Sequence, residues 1–292
     1  MGEIGIVTEE AADLPADIVT KHQIAIVPVK LDWPEIEKIP GENTFQKMRE
    51  LEKRGIKSFG KTSQPSPNDF LDKYKYQLER FEKVLCITLT SKLSGSNNSA
   101  NLAKKFLNSK DGERVFVVDS LNATAGQALL VLKAIDLINS GKTIEEIVAE
   151  LEKSIPHIHL LLIFNDPKWI EASGRISHLA ANLMRKMAQA GIRPLSAFKD
   201  GVLVPVGIRL GAKDLPTALF KQLEKETKNL RKAGKKIRVT IVHGDHPKSA
   251  QRLKEMIEKE LKNTEVVFIN VIGNVIGAPI GPDALACAWC EI

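Results

Sequence analysis

Short β-branched apolar runs alternate with stretches of helical periodicity along most of the chain, and this rhythm restricts the fold more than any other feature. Ile4–Val7 reads as a strand, and Asp13 as the cap of a short helix with Pro15 in its first turn. Ile24–Leu31 reads as a second strand, and Phe45–Arg54 as a helix stopped by Gly55. Ser66-Pro67-Asn68-Asp69 has the form of a capping box with proline at the first helical position, so a helix should run to about Glu79. Val84–Leu89 and Val115–Val118 are further strands, with a helix between them from about Asn97 to Leu107. Another helix, from about Ala125 to Asn139, stops at Gly141, and Thr143 with Glu146 caps the next one. Such β-α alternation implies a mainly parallel sheet with helices on both faces.

The pattern changes after Pro156. His157–Ile163 is a strand candidate, and Ser177–Gln189 a helix with Leu179, Leu183, Met184 and Met187 on one face. Leu195–Lys199, Asp200-Gly201 and Val202–Ile208 read as a hairpin, because Asp-Gly suits a type I′ turn. Helix Asp214–Arg231, strand Ile237–Val242, helix Pro247–Leu261 and strand Val266–Val271 follow, then a Gly/Pro segment and a last apolar run, Ala284–Trp289. The length of 292 residues suits two domains. The expected class is α/β with two α/β domains. Residues 1–156 form an N-terminal domain with a mainly parallel sheet flanked by helices, and residues 157–292 a C-terminal domain with a mixed sheet and helices.

Composition excludes several functions. Apolar residues at 43% and charged residues at 27% supply a sizeable core and exclude a disordered chain. Aromatics at 5% argue against nucleic-acid binding by base stacking. The net charge of +6 lies within Lys221–Arg238, which holds eight basic residues against Glu224 and Glu226. That stretch is a solvated helix face or a docking surface for an anionic partner. Three cysteines suggest no disulfide framework and a reducing compartment. No signal peptide is read at the start, and the longest apolar runs, Ile24–Val29 and Leu160–Phe164, are too short for a membrane span. The expected location is cytoplasmic.

Three motifs invite misreading. Gly55-Ile56-Lys57-Ser58-Phe59-Gly60-Lys61-Thr62 matches the P-loop pattern, with Asp119 after Val115–Val118 as a magnesium ligand. A P-loop needs a strand before its first glycine and a helix from its lysine; here a helical pattern precedes Gly55, and Pro65 and Pro67 follow. Cys287-Ala288-Trp289-Cys290 lies in an apolar, strand-like run, where residues three apart face opposite sides, so buried structural cysteines are expected. His243 and His246 supply only two metal ligands, and no metal site is assigned. Asp119 with His243 and His246 remains the basis of a rival reading, an α/β enzyme of phosphoryl transfer or hydrolysis.

Four loops rich in hydroxyls and glycine fall where strands should end: Thr62–Pro67, Thr90–Ala100, Asp119–Gly126 and Gly273–Pro282. Hydroxyls and free N–H groups at helix starts suit a small anion such as a carboxylate. No suitable catalytic base sits in them, which favours binding over catalysis.

At these residues the chain resembles the DegV family of bacterial fatty-acid-binding proteins. The pieces that carry the resemblance are Thr62-Ser63-Gln64-Pro65-Ser66, Leu93-Ser94-Gly95-Ser96 with Ser99-Ala100, Val118-Asp119-Ser120, and Ser173-Gly174-Arg175-Ile176-Ser177. The resemblance implies two α/β domains with one long-chain fatty acid between them, no cofactor, and a carboxylate held by Thr62 and Ser94. Ser63, Gly95, Ser96, Gly277 and Pro279 are the accompanying ligand-site candidates, and Arg175 would lie near the carboxylate entrance. It also implies lipid transport, or presentation of the acid to a separate ATP-dependent fatty-acid kinase. The chain departs from the family pattern at three places: Thr8-Glu9-Glu10 stands for Thr-Asp-Ser, Pro279 for a histidine and Asp283 for a glycine. Proline cannot donate a hydrogen bond, and Asp283 adds negative charge, so a loosely held headgroup is expected.

Overall fold

The computed structural model describes residues 2–190, 192–209 and 214–292. Its strands are β1 (Gly2–Glu9), β2 (Ala25–Val27), β3 (Lys30–Asp32), β4 (Lys61–Ser63), β5 (Phe81–Thr88) and β6 (Val115–Asp119), then β7 (His159–Ile163), β8 (Arg193–Lys199), β9 (Val202–Arg209), β10 (Ile237–His243), β11 (Thr264–Val271) and β12 (Leu285–Glu291). The helices are α1 (Ala16–Lys21), α2 (Pro34–Glu37), α3 (Thr44–Lys53), α4 (Pro67–Leu78), α5 (Ser96–Phe106), α6 (Ser109–Glu113) and α7 (Thr124–Asn139). They continue with α8 (Ile144–Ser154), α9 (Lys168–Ala172), α10 (His178–Gln189), α11 (Leu215–Lys232), α12 (Pro247–Glu260) and α13 (Asn274–Ile280).

Two compact units result. The first comprises Met1–Lys30, Ser63–Ile158 and Lys199–Val202; the second comprises Leu31–Thr62, His159–Phe198 and Leu203–Ile292. The chain passes from the first unit to the second at Ile158/His159. Segment Leu31–Thr62, by contrast, clusters with the second unit rather than with the half of the sequence in which it lies. Its helix α3 explains why: it packs on α13, and Arg49 binds Asp245 and Asp283.

In the first unit the sheet order is β2-β1-β5-β6, and every pairing is parallel. Val84–Thr88 of β5 is buried without interruption, as a parallel strand covered on both faces requires. Val7, Val84, Cys86 and Val115 pack with Phe70, Tyr74 and Leu78 of α4 and with Ala100 and Ala103 of α5. Helix α7 packs against β5 and α8, and it is buried around most of its circumference. Both expected capping boxes form, Ser66 with Asp69 and Thr143 with Glu146. The expected strand Ile24–Leu31 is split into β2 and β3 around Pro28, which has no N–H for a sheet ladder. Asp13 does not cap α1. It closes a 3-10 turn over Glu10–Ala12 in the left-handed region, and Pro15 takes the cap position.

In the second unit the order is β11-β10-β12-β7-β8-β9, a mixed sheet in which β10 pairs in parallel with β11 and antiparallel with β12, and β7 pairs antiparallel with β12 and β8. Leu161, Ile163, Val239, Ile241, Leu285 and Cys287 meet Leu219 and Leu223 of α11 and Leu253 and Ile257 of α12 in one core. Asp200 (φ 49°) and Gly201 (φ 80°) both have positive φ, as the type I′ turn demands. Helix α10 exposes Leu179 and Leu183 of the face that the periodicity marks, while Ala181 is buried. The Gly/Pro segment expected as a loop contains α13 instead.

Candidate functional site

The strand order of the first unit reverses between β1 and β5: β2 lies on one side of β1, and the chain then crosses to β5 on the other. In open α/β sheets, ligands bind beyond the carboxyl ends of the strands at such a reversal. Here those ends carry Thr8, Glu9, Thr88 and the turn leading into α5. Within this turn the Ser94 N–H donates to the Thr90 carbonyl at 3.3 Å, and the Ser96 N–H to Ser94 Oγ at 3.2 Å. The hydroxyls of Ser94 and Ser96 lie 2.9 Å apart. Thr90 anchors the turn, its N–H to the Asn122 carbonyl at 2.9 Å and its Oγ1 to the Gly201 carbonyl at 3.0 Å. Gly95 allows a close approach: a Cβ there would stand 1.8 Å from Gln64 Oε1. Gln64 Nε2 in turn donates to Ser99 Oγ at 3.2 Å. The two hydroxyl-rich motifs around Gln64 and Gly95 are thus one packed structure.

Glu9 ends β1 and is fully buried. Its Oε2 accepts the Leu89 N–H at 2.6 Å, while Oε1 has no hydrogen-bond partner. Burial pushes its pKa up. The Ser96 hydroxyl, the Leu89 N–H and Gln127 oppose that shift, and Asp119 adds to it. The sequence marks Glu9 only as a departure from the family pattern; its burial follows from the position of β1 inside the sheet.

In the second unit, Arg175 Nη2 donates to Thr62 Oγ1 at 3.1 Å. The Ser-Gly-Arg motif that delivers this side chain is a helix terminator. The Gly174 N–H returns to the Glu171 carbonyl at 2.9 Å and the Arg175 N–H to the Ile170 carbonyl at 3.3 Å, closing α9 as a Schellman motif. Gly174 has φ 73°, which explains the glycine. Arg175 is half-buried, and no carboxylate pairs with it among the described residues. Burial lowers its pKa with nothing to compensate. Nearby in sequence, Glu171 takes His178 and Arg185, which hold its carboxyl below the usual range.

Arg49 has the opposite environment. It reaches Asp245 Oδ2 at 2.6 Å and Asp283 Oδ1 at 2.7 Å. Burial disfavours its charge, but the hydrogen bonds to Asp283 and Asp245 outweigh that and its pKa rises. The charge of Asp283 is therefore matched within the unit. Gly277 lies in α13 against the Phe45 ring, where a Cβ would stand 2.6 Å from Cζ. Pro279 is buried in the same helix. Of the sequence candidates, the structure thus joins Thr62 to Arg175 and Ser94 to Ser96 across Gly95. Ser63 is exposed on β4, and Gly277 and Pro279 belong to a packed helix.

The misleading motifs have structural explanations. Gly55 (φ 69°) terminates α3, and Lys61–Ser63 is strand β4, so no helix starts at Lys61. Cys287 and Cys290 are buried thiols on β12, and burial raises the Cys287 pKa. Asp119 accepts the N–H groups of Ser91 and Leu121. His243 Nδ1 accepts the His246 N–H at 3.0 Å, and burial lowers the His243 pKa. Among the described residues no cluster of three metal-ligating side chains occurs, and no helix is long and apolar enough to cross a membrane.

The family model described as "Uncharacterised protein, DegV family" matches residues 3–291. The chain belongs to the DegV family. A DegV domain-containing protein of Clostridium acetobutylicum is 31% identical over 294 residues, covering 100% of this chain and 99% of the relative. The Fatty acid-binding protein of Thermotoga maritima is 30% identical over 289 residues, covering 96% of this chain and 95% of the relative. The solved structure described as fatty acid binding of a DegV family protein from Thermus thermophilus aligns with TM-score 0.79 at 25% identity. It covers 99% of this chain and 100% of that one. The DegV fold accounts for both the parallel first sheet and the mixed second one.

Proposed function

We propose that this DegV protein binds a long-chain fatty acid as its ligand. Thr62 and Arg175 are the groups that take the carboxylate, and the family resemblance adds Ser94. The observation that carries this reading is a half-buried guanidinium with a hydroxyl beside it and, among the described residues, no carboxylate. An anion of matching planar shape supplies the missing charge and accepts the remaining donors. The Thermotoga maritima relative, named a fatty acid-binding protein, and the Thermus thermophilus structure support the ligand class. About 14 methylenes at roughly 0.8 kcal/mol each contribute on the order of 10 kcal/mol before ordering costs. Arg175 also changes the expectation drawn from Pro279: with a cation at the site, the headgroup is held firmly.

The finer reading is a cytoplasmic carrier that presents the acid to a separate ATP-dependent kinase. The buried thiols Cys86, Cys287 and Cys290 fit a reducing compartment. Native mass spectrometry of the purified protein tests the ligand class. A co-purifying species with the mass of a long-chain fatty acid, lost on delipidation, supports it. Bound nucleotide or a divalent ion in its place supports the enzyme reading built on Asp119, His243 and His246.

A further inference from the structure

The fatty-acid reading makes no use of the basic stretch Lys221–Arg238, where the net charge of the chain lies. Helix α11 carries Lys221, Lys225, Lys228 and Lys232 at i, i+4, i+7 and i+11, the spacing that sets side chains in one row. All four are exposed, and among the described residues none pairs with a carboxylate. Of the two acidic residues in the stretch, Glu226 is engaged elsewhere. Its carboxylate accepts Trp289 Nε1 at 3.1 Å and Gln222 Nε2 at 2.7 Å.

A solvated helix usually mixes its charges. Helix α12, packed beside α11, does so: Lys254 reaches Glu258 at 3.7 Å, and Arg252 reaches Asp214 at 2.8 Å. Like charges three or four residues apart repel and weaken a helix. The helix dipole favours cations within the last turn, where Arg231 and Lys232 lie. It does not account for Lys221, Lys225 and Lys228. The row opens on a groove of about 660 Å³. Lys225, Lys228, Arg231 and Lys232 line it from α11, and Lys262 joins them from the turn after α12. These five cations face two carboxylates, Glu224 and Glu260. Arg231 is already oriented. Its Nε donates to Thr227 Oγ1 at 3.0 Å and its Nη2 to the Glu224 carbonyl at 3.1 Å. A guanidinium held in this way loses little freedom when it binds.

We propose that this groove binds a compact, soluble anion carrying two or three linked phosphoryl groups. The excess of cations calls for more negative charge than one carboxylate brings. Lysine takes phosphate as a point charge, and arginine takes it through its planar fork. The volume lies within the range of about 300–1,000 Å³ common for small-molecule sites. No aromatic side chain lines the groove among the described residues, so the phosphoryl groups and not a stacked base are what it recognises. A concave site surrounds a compact anion, whereas a bilayer is flat and meets only the rim. The proposal is independent of the fatty-acid reading.

The test is isothermal titration of the full chain with inorganic tripolyphosphate, at low ionic strength and without divalent ions. Saturable one-to-one binding that weakens as salt is added is expected. The double variant Lys228→Gln, Lys232→Gln should bind more weakly by about tenfold or more, the scale of one hydrogen bond to a charged group. Lys21→Gln with Lys38→Gln removes the same charge from exposed positions outside the groove and should bind as the wild type does. All four lysines are exposed, so folding does not decide the result. Absence of saturable binding overturns the proposal, and so does an equal loss in the two double variants, which would make net charge the cause. Retention on phosphatidylglycerol vesicles without tripolyphosphate binding also overturns it and makes the face a membrane contact. Fatty-acid affinity should be the same in every variant, so failure here leaves the fatty-acid reading intact.

Discussion

Arg175 donates to Thr62 Oγ1 across 3.1 Å and pairs with no carboxylate among the described residues, while Arg49, in the same unit, binds both Asp245 and Asp283. Two half-buried arginines thus differ in whether the fold provides their counter-charge. Arg49 holds the loops after β10 and α13 to α3. Arg175 has no carboxylate partner among the described residues, and an anionic ligand can supply one.

Replacing the two arginines should therefore have opposite consequences for stability. Arg49→Met leaves Asp245 and Asp283 without their cation and should destabilise the protein, by about 1 kcal/mol once solvent screening of these partly exposed groups is allowed for. Arg175→Met removes a charge that burial already disfavours and should leave the unfolding midpoint in denaturant unchanged or higher. A loss of stability from Arg175→Met as large as that from Arg49→Met would contradict the distinction.

Ser94→Ala should weaken fatty-acid binding by about 1.5–3 kcal/mol, the range for a hydrogen bond to a charged group. Its stability should stay near that of the wild type, because Ser94 is half-buried and the turn keeps its Ser94 N–H bond to Thr90. Unchanged affinity in isothermal titration would remove Ser94 from the headgroup site.

Much of the scaffold around these residues was legible in the sequence because its signals are local. Ser66 with Asp69, Thr143 with Glu146, and Asp200-Gly201 act within a few residues of themselves. The exceptions are long-range. Helix α13 contains Pro279 and Gly277, poor helix formers; Gly277 is there because Phe45 fills the space a side chain would need. Thr62 and Arg175 are 113 residues apart, and no periodicity joins them. Motif resemblance singled out both residues, and only the fold showed their hydrogen bond. The negative charge that Asp283 adds is matched by Arg49, a partner too distant in sequence for a local pattern to reveal.

Close packing at Gly281 can be tested directly. A Cβ there would stand 2.1 Å from Trp169 Cδ1, and the backbone has φ 82°. Gly281→Ala combines overpacking with a strained backbone and should cost about 1–3 kcal/mol. An urea midpoint equal to the wild type would show that the Trp169 ring can move aside.

Stability should also depend on pH through Glu9. Its folded pKa is raised, chiefly by burial, above the ordinary glutamate value of 4.5. The folded state therefore holds its proton over a range where the unfolded chain has lost it. That contribution is fully present below the unfolded pKa and is lost as pH rises through the raised folded pKa. Glu9→Gln, which does not ionise, should gain stability relative to the wild type as pH rises, seen as a widening gap between their denaturant midpoints. A gap that stays constant from acid to neutral pH would show that Glu9 titrates normally.

The central claim is that Arg175 supplies the counter-charge for a fatty-acid carboxylate. It is tested most directly by titrating a saturated long-chain acid and its alcohol against the wild type and Arg175→Met. The account expects the wild type to prefer the acid by about tenfold or more, and Arg175→Met to lose that preference while still binding the alcohol. Equal affinity of the wild type for acid and alcohol, or an undiminished acid preference in Arg175→Met, would contradict it.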